Sequence, residues 1–281
     1  MIRHRIVNGA IMIALLVGAL FLPAFGLFLI IPLLSALMLW ECYYLLHAAG
    51  LPSFRVLGIV GGLALIFATG LNYHLFQGAG VYEWEGVILA GLVFLVLTRQ
   101  CFENNDAAPL LPAAATLMGI LYTAFLFNFY TKLLLGWPDG DGRYVLFYMI
   151  LVVKVTDMAA YATGCSIGRH KLIPRLSPAK TWEGCAGGVL GGLITSLLFW
   201  RLADGQVGPM TLGIADAVIL GIVLPVAGIV GDLIESMLKR AANVKDSGTW
   251  LKGMGGVLDV LDSLLFAAPI LYIYILVVLT P

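Results

Sequence analysis

Mainly apolar runs fall near residues 6–22, 24–46, 56–71, 86–98, 110–130, 144–167, 184–202, 211–230 and 260–279, separated by short polar segments. A membrane-crossing helix needs about 20 apolar residues. The pattern therefore predicts an all-α polytopic integral membrane protein with about nine transmembrane helices, the third and fourth runs being short. Polar positions concentrate late in the chain. This divides it into N-terminal transmembrane helices (1–143) and a C-terminal transmembrane region (144–281) carrying the loops 168–183 and 231–257.

Composition agrees: 61% of the 281 residues are hydrophobic and the mean hydropathy is +0.99. Zero net charge excludes nucleic acid as a natural partner, so the distribution of charge is what informs. Of sixteen Lys and Arg, twelve lie in residues 1–5, 47–55, 99–109, 168–183 and 231–257, on one side of the predicted membrane. The positive-inside rule makes that side, and the N-terminus, cytoplasmic, with a multi-pass location in the cell (inner) membrane. Residues 3–22 have a basic start and an apolar run but no small-residue cleavage site, and Pro23 leads into the next run. A retained first helix is expected. Cys42, Cys101, Cys165 and Cys185 form no CxxC pair and read as small core residues. The GxxxG spacings among Gly184, Gly187, Gly188, Gly191 and Gly192 predict close helix packing within the subunit. A homodimer through that face is the alternative.

Residues 231–263 place charge where a bilayer makes it costly, about 2.5–3.5 kcal/mol per ionised group on insertion scales. Asp232, Glu235, Ser236 and Lys239 stand at i, i+3, i+4 and i+7 and share one helical face. Asp259 and Asp262 likewise share a face at the start of the last apolar run. Between them, Lys245-Asp246-Ser247-Gly248 and Gly253, Gly255 and Gly256 form a loop whose backbone N–H groups can approach a ligand. Carboxylates, cations and bare backbone together predict a metal and a phosphorylated ligand.

A second stretch, 154–184, begins with Lys154 and Asp157, three apart within an apolar run and able to pair. Ser177-Pro178 predicts a helix start, with Ser177 as N-cap and Lys180 and Thr181 in the first turn. Free N–H groups, helix dipole and an ammonium group would make an anion site there.

The combination SMLKR-x4-KDSG (236–248) with GG-x-LD-x2-DS (255–263), preceded by Gly231-Asp232 and by SPAKTWEG (177–184), resembles the phosphatidate cytidylyltransferases. The resemblance covers about 154–268 and implies the reaction CTP + phosphatidate → CDP-diacylglycerol + pyrophosphate, with Mg²⁺. It implies Asp232 and Asp259 as metal-associated carboxylates, with Lys239 and Asp246 beside them in catalysis. Ser177, Lys180 and Thr181 would line the nucleotide pocket, and Arg240 and Lys245 would organise the triphosphate. Asp157 and Asp262 complete the implied substrate-binding set. The sequence departs from the family pattern at Lys252 for proline, Met254 for histidine and Val260 for arginine. Alternatives are a CTP-dependent enzyme on an isoprenoid lipid, a catalytically weakened homologue that binds lipid, and a transporter. Against the last stands the absence of a two-fold internal repeat.

Overall fold

A computed structural model describes residues 18, 22, 24–103, 108–137, 141–248 and 255–279. Among the described residues, eight helical runs are long and apolar enough to cross a membrane. They match the predicted runs from the second to the ninth. The first, 6–22, lies outside the described residues apart from Gly18 and Leu22. The third and fourth runs are full length after all, as α2 (Arg55–Phe76) and α3 (Val81–Cys101), because polar Asn72, Glu83 and Glu85 continue the helices. The helices form two compact units, one of Met1–Leu27, Trp137–Ser236 and Asp262–Pro281, the other of Phe28–Gly136 and Met237–Leu261.

The second unit holds most of α1 (Ala24–Ala48), α2, α3 and the run α4 (Leu111–Gly119), a π-helical turn (Ile120–Phe125) and α5 (Leu126–Leu135). Its core gathers on α1, where Met38, Leu39, Cys42 and Tyr43 are fully buried. The Tyr43 ring fills the space beside Gly58 and Gly119, and its hydroxyl donates to the Thr116 carbonyl at 2.8 Å. Lys132, which a hydropathy reading puts at a helix end, is 2% exposed. Its ammonium group pairs with Glu85 at 2.5 Å and faces the rings of Tyr82 and Phe129. Asn128 donates to both Glu85 and Thr69, tying α5, α3 and α2 together. A charge buried in this way persists only with such partners.

The first unit is built on α6 (Arg143–Ile167), α7 (Trp182–Leu202) and most of α8 (Ile214–Ala241), with the later part of α9 (Val257–Tyr274). The glycines of α7 pack against α6: a Cβ at Gly187 would strike Thr163, and one at Gly188 would strike Ala160. That is the close approach expected within one subunit. Gly192 receives Pro225 of α8, since a Cβ there would strike the proline ring. Tyr148 and Ser196 hydrogen-bond at 2.6 Å, and Ser196 donates to the Ala217 carbonyl.

Candidate functional site

On α8 the charged face expected from the sequence forms as a regular helix, which continues to Ala241 well past the apolar run. Gly231 is the notch that positions it, because a Cβ there would collide with the Asp262 carbonyl of α9. The two helices approach closely, and ligand oxygens of Asp232, Glu235 and Asp262 gather within 4.8 Å of one another. At that separation, 4.8 Å, each ionised pair repels by roughly 3.5 kcal/mol in an effective dielectric of about 20. Lys180 answers part of this repulsion with a 2.7 Å ion pair to Asp232. Lys154, buried on α6, pairs with Asp157 at 3.3 Å as its spacing predicts, and donates to Ser263 at 2.9 Å. Ser263 in turn donates to Asp157 at 3.1 Å. An all-oxygen, net-negative donor set of this kind fits a hard divalent cation such as Mg²⁺.

The segment around Lys180 differs from its sequence reading. Ser177–Thr181 is not the first turn of a helix but strand β2, paired antiparallel with β1 (Lys171–Ile173). The helix begins at Trp182, and Thr181 is the N-cap, its Oγ1 accepting from the Gly184 N–H at 3.1 Å. Lys171 lies opposite Thr181 and Ile173 opposite Ser177, and the local Ser-Pro signal could not foresee that strand partner. Glu183 fastens the hairpin to α7. Its carboxylate accepts the Arg169 N–H at 3.1 Å, the His170 N–H at 3.2 Å and the His170 ring at 2.5 Å. Ser177 and Lys180 are partly exposed, whereas Thr181 is buried against Gly164 and Gly168.

In the second unit, Asp259 has a carboxylate crowded with donors. Lys239 reaches Oδ1 at 2.6 Å, while Oδ2 accepts the Ser247 N–H at 2.7 Å, its hydroxyl at 2.8 Å and the Gly256 N–H at 2.7 Å. Glu41 of α1 supplies a second carboxylate to the same loop. It accepts the Val257 N–H at 2.9 Å, the Leu258 N–H at 2.7 Å and the Ser247 hydroxyl at 3.0 Å. Two of the backbone donors expected to face a ligand, the Ser247 and Gly256 N–H groups, are therefore held by the protein's own carboxylate. Arg240, Lys245 and Asp246 are exposed, and Arg240 hydrogen-bonds the Val244 carbonyl. Val260 is buried at 7%, while Gly253, Lys252 and Met254 lie outside the described residues.

Two residues of these arrangements escaped the sequence-based candidate set. Glu235 was visible on the charged face of α8 but unmatched by the family resemblance. Glu41 is an ionisable residue within a long apolar run, which is itself the signal of a special role.

Eight membrane-length helices, with carboxylates, lysines and a basic hairpin among them, define a polytopic membrane protein equipped for anionic ligands and a hard cation. The chain belongs to the cytidylyltransferase family, whose model matches residues 3–278. It is 35% identical over 219 residues to a phosphatidate cytidylyltransferase of Bacillus subtilis, covering 76% of this chain and 77% of that protein. A phosphatidate cytidylyltransferase of Staphylococcus epidermidis is 37% identical over 224 residues, covering 78% and 79%. An uncharacterised protein of Escherichia coli, YnbB, is 33% identical over 217 residues, covering 75% and 70%.

Proposed function

We propose that this membrane protein condenses CTP with phosphatidate to give CDP-diacylglycerol and pyrophosphate. The observation that carries the reading is the Lys180–Asp232 ion pair, which joins the SPAKT hairpin to a cluster of three carboxylates. Family membership and the two bacterial relatives named as phosphatidate cytidylyltransferases support it.

In this reaction a phosphatidate phosphate oxygen attacks the α-phosphorus of CTP, forming one P–O bond as the bond to pyrophosphate breaks. The nucleophile is already anionic, so positioning and charge neutralisation matter more than proton removal. Lys180, with Ser177 on the hairpin, binds the nucleotide phosphates, while Thr181, buried as the cap of α7, holds the hairpin in place of the phosphate contact expected from the sequence. Asp232, Glu235 and Asp262 would hold Mg²⁺, which would supply positive charge to the phosphate oxygens. Lys154 restrains Asp157 beside Ser263, keeping the substrate-facing carboxylates in place. In the second unit, the exposed side chains of Arg240 and Lys245 can meet an anionic phosphate, and Lys239 is held in its pair with Asp259. We assign Asp259 to holding this loop, in place of the metal role expected from the sequence.

The location follows from the charge distribution: an inner-membrane protein with a cytoplasmic N-terminus, taking CTP from the cytosol and phosphatidate from the bilayer. Since α6 covers the glycine face of α7, a homodimer would have to use another surface.

The direct test is purified protein with labelled CTP, Mg²⁺ and a panel of phosphatidate, other phospholipids and polyprenyl phosphates. Labelled CDP-diacylglycerol and stoichiometric pyrophosphate are expected with phosphatidate. Transfer only to the isoprenoid lipids, or none to any lipid, would replace this reading with one of the alternatives.

A further inference from the structure

Glu41 is 1% exposed, yet it receives three hydrogen bonds from residues more than 200 positions away in the chain. Two come from the first N–H groups of α9, where the helix dipole favours a negative charge. The third comes from Ser247 of the KDSG segment. Ser247 has a single hydroxyl proton and two carboxylate acceptors, Glu41 at 3.0 Å and Asp259 at 2.8 Å. The two acids are therefore linked through one side chain.

Two motif glycines have the same explanation. A Cβ on Gly248 or on Gly256 would run into the Glu41 carboxylate. These positions carry no side chain because an acid from the first described helix occupies the space. Such burial leaves no room for Glu41 to exchange with a phosphate, so its place in the loop is permanent. From Glu41 the connections run through Ser247 to Asp259, and from Asp259 to Lys239 at 2.6 Å.

We propose that Glu41 is a positioning residue for cytidylyl transfer, setting the KDSG loop and the start of α9 so that Asp259 and Lys239 are held in register. The proposal rests on the function given above. Glu41 touches no substrate and acts through Ser247 and the α9 backbone.

The test is Glu41→Gln in the full-length protein in detergent or lipid nanodiscs. The amide keeps the size of the acid but turns an NH₂ group toward N–H and O–H donors. Three quantities are read: kcat and KM for CTP, amide hydrogen exchange over residues 245–258, and the thermal midpoint. A loss of about 10²-fold in kcat is expected, typical of misplaced catalytic geometry, with KM for CTP within about two-fold of wild type. Exchange at Val257 and Leu258 should quicken while other helices are unchanged. Combining Glu41→Gln with Ser247→Ala should cost less than the product of the single effects, since both act on one connection.

Wild-type kcat in Glu41→Gln would overturn the proposal. So would lost turnover with unchanged exchange over 245–258, or multiplicative effects in the double variant. If Glu41→Gln does not fold, Gly248→Ala is decisive, because it pushes the same carboxylate without removing it. Quickened exchange with lost turnover supports the proposal, and normal exchange with normal turnover refutes it. Should the wild type lack activity with CTP and phosphatidate, the functional reading fails by itself. The exchange measurement would still decide whether Glu41 holds the loop.

Discussion

Lys180 and Asp232 meet at 2.7 Å, so a strand of the SPAKT hairpin and a membrane helix share one charge pair. The Lys180 side chain is 20% exposed and the Asp232 side chain 35%, while the lysine Nζ itself is buried. A cation that takes the aspartate would release the lysine to an anionic partner. This exchange of partners gives the hairpin a reason to stand beside the carboxylates.

Lys180→Ala should raise the KM for CTP by about 10-fold or more, the loss of one charge-assisted contact at roughly 1.5–3 kcal/mol. The KM for phosphatidate should change little. Steady-state kinetics with each substrate varied separately checks this. An unchanged CTP dependence would reduce Lys180 to a partner for Asp232 alone.

Asp232→Asn and Asp262→Asn should move the Mg²⁺ concentration for half-maximal rate upward, besides lowering turnover. Asp259→Asn should lower turnover by about 10²-fold, as expected when geometry is lost, without moving the Mg²⁺ midpoint. Magnesium titrations of the three variants separate the two roles. A raised midpoint in Asp259→Asn would restore the metal role expected from the sequence.

Glu85→Gln or Lys132→Met alone should destabilise the protein by roughly 3–5 kcal/mol, since each leaves an opposite charge buried without its ion-pair partner. Replacing both by apolar residues of similar volume should recover most of that loss. Unfolding followed by circular dichroism in mixed micelles gives both values.

Cysteine substitutions at Ser177 and Lys245, in a background without the four native cysteines, report orientation. Both positions are at least partly accessible. Membrane-impermeant thiol reagents should label each only from the cytoplasmic side of sealed vesicles. Labelling from the opposite side would reverse the topology inferred from the basic loops.

Periodicity alone was enough to locate the described membrane helices, because the cost of exposing backbone and charge to lipid acts on each segment separately. It was also enough to pair Lys154 with Asp157 and to place Asp232, Glu235, Ser236 and Lys239 on one face, since helix geometry sets relations three and four residues apart. Tertiary structure decided what lies beyond that range. It turned Ser177–Thr181 from a helix start into a strand, because Lys171–Ile173 supplied backbone partners. It gathered Asp262 with Asp232 and Glu235 through the notch at Gly231, and it gave Asp259 to Lys239 and Ser247. It brought Glu41 to residues more than 200 positions away and buried Lys132 against Glu85. No local pattern encodes such pairings. Each isolated charge in an apolar run announces that a partner must exist, and only the packed helices determine which one.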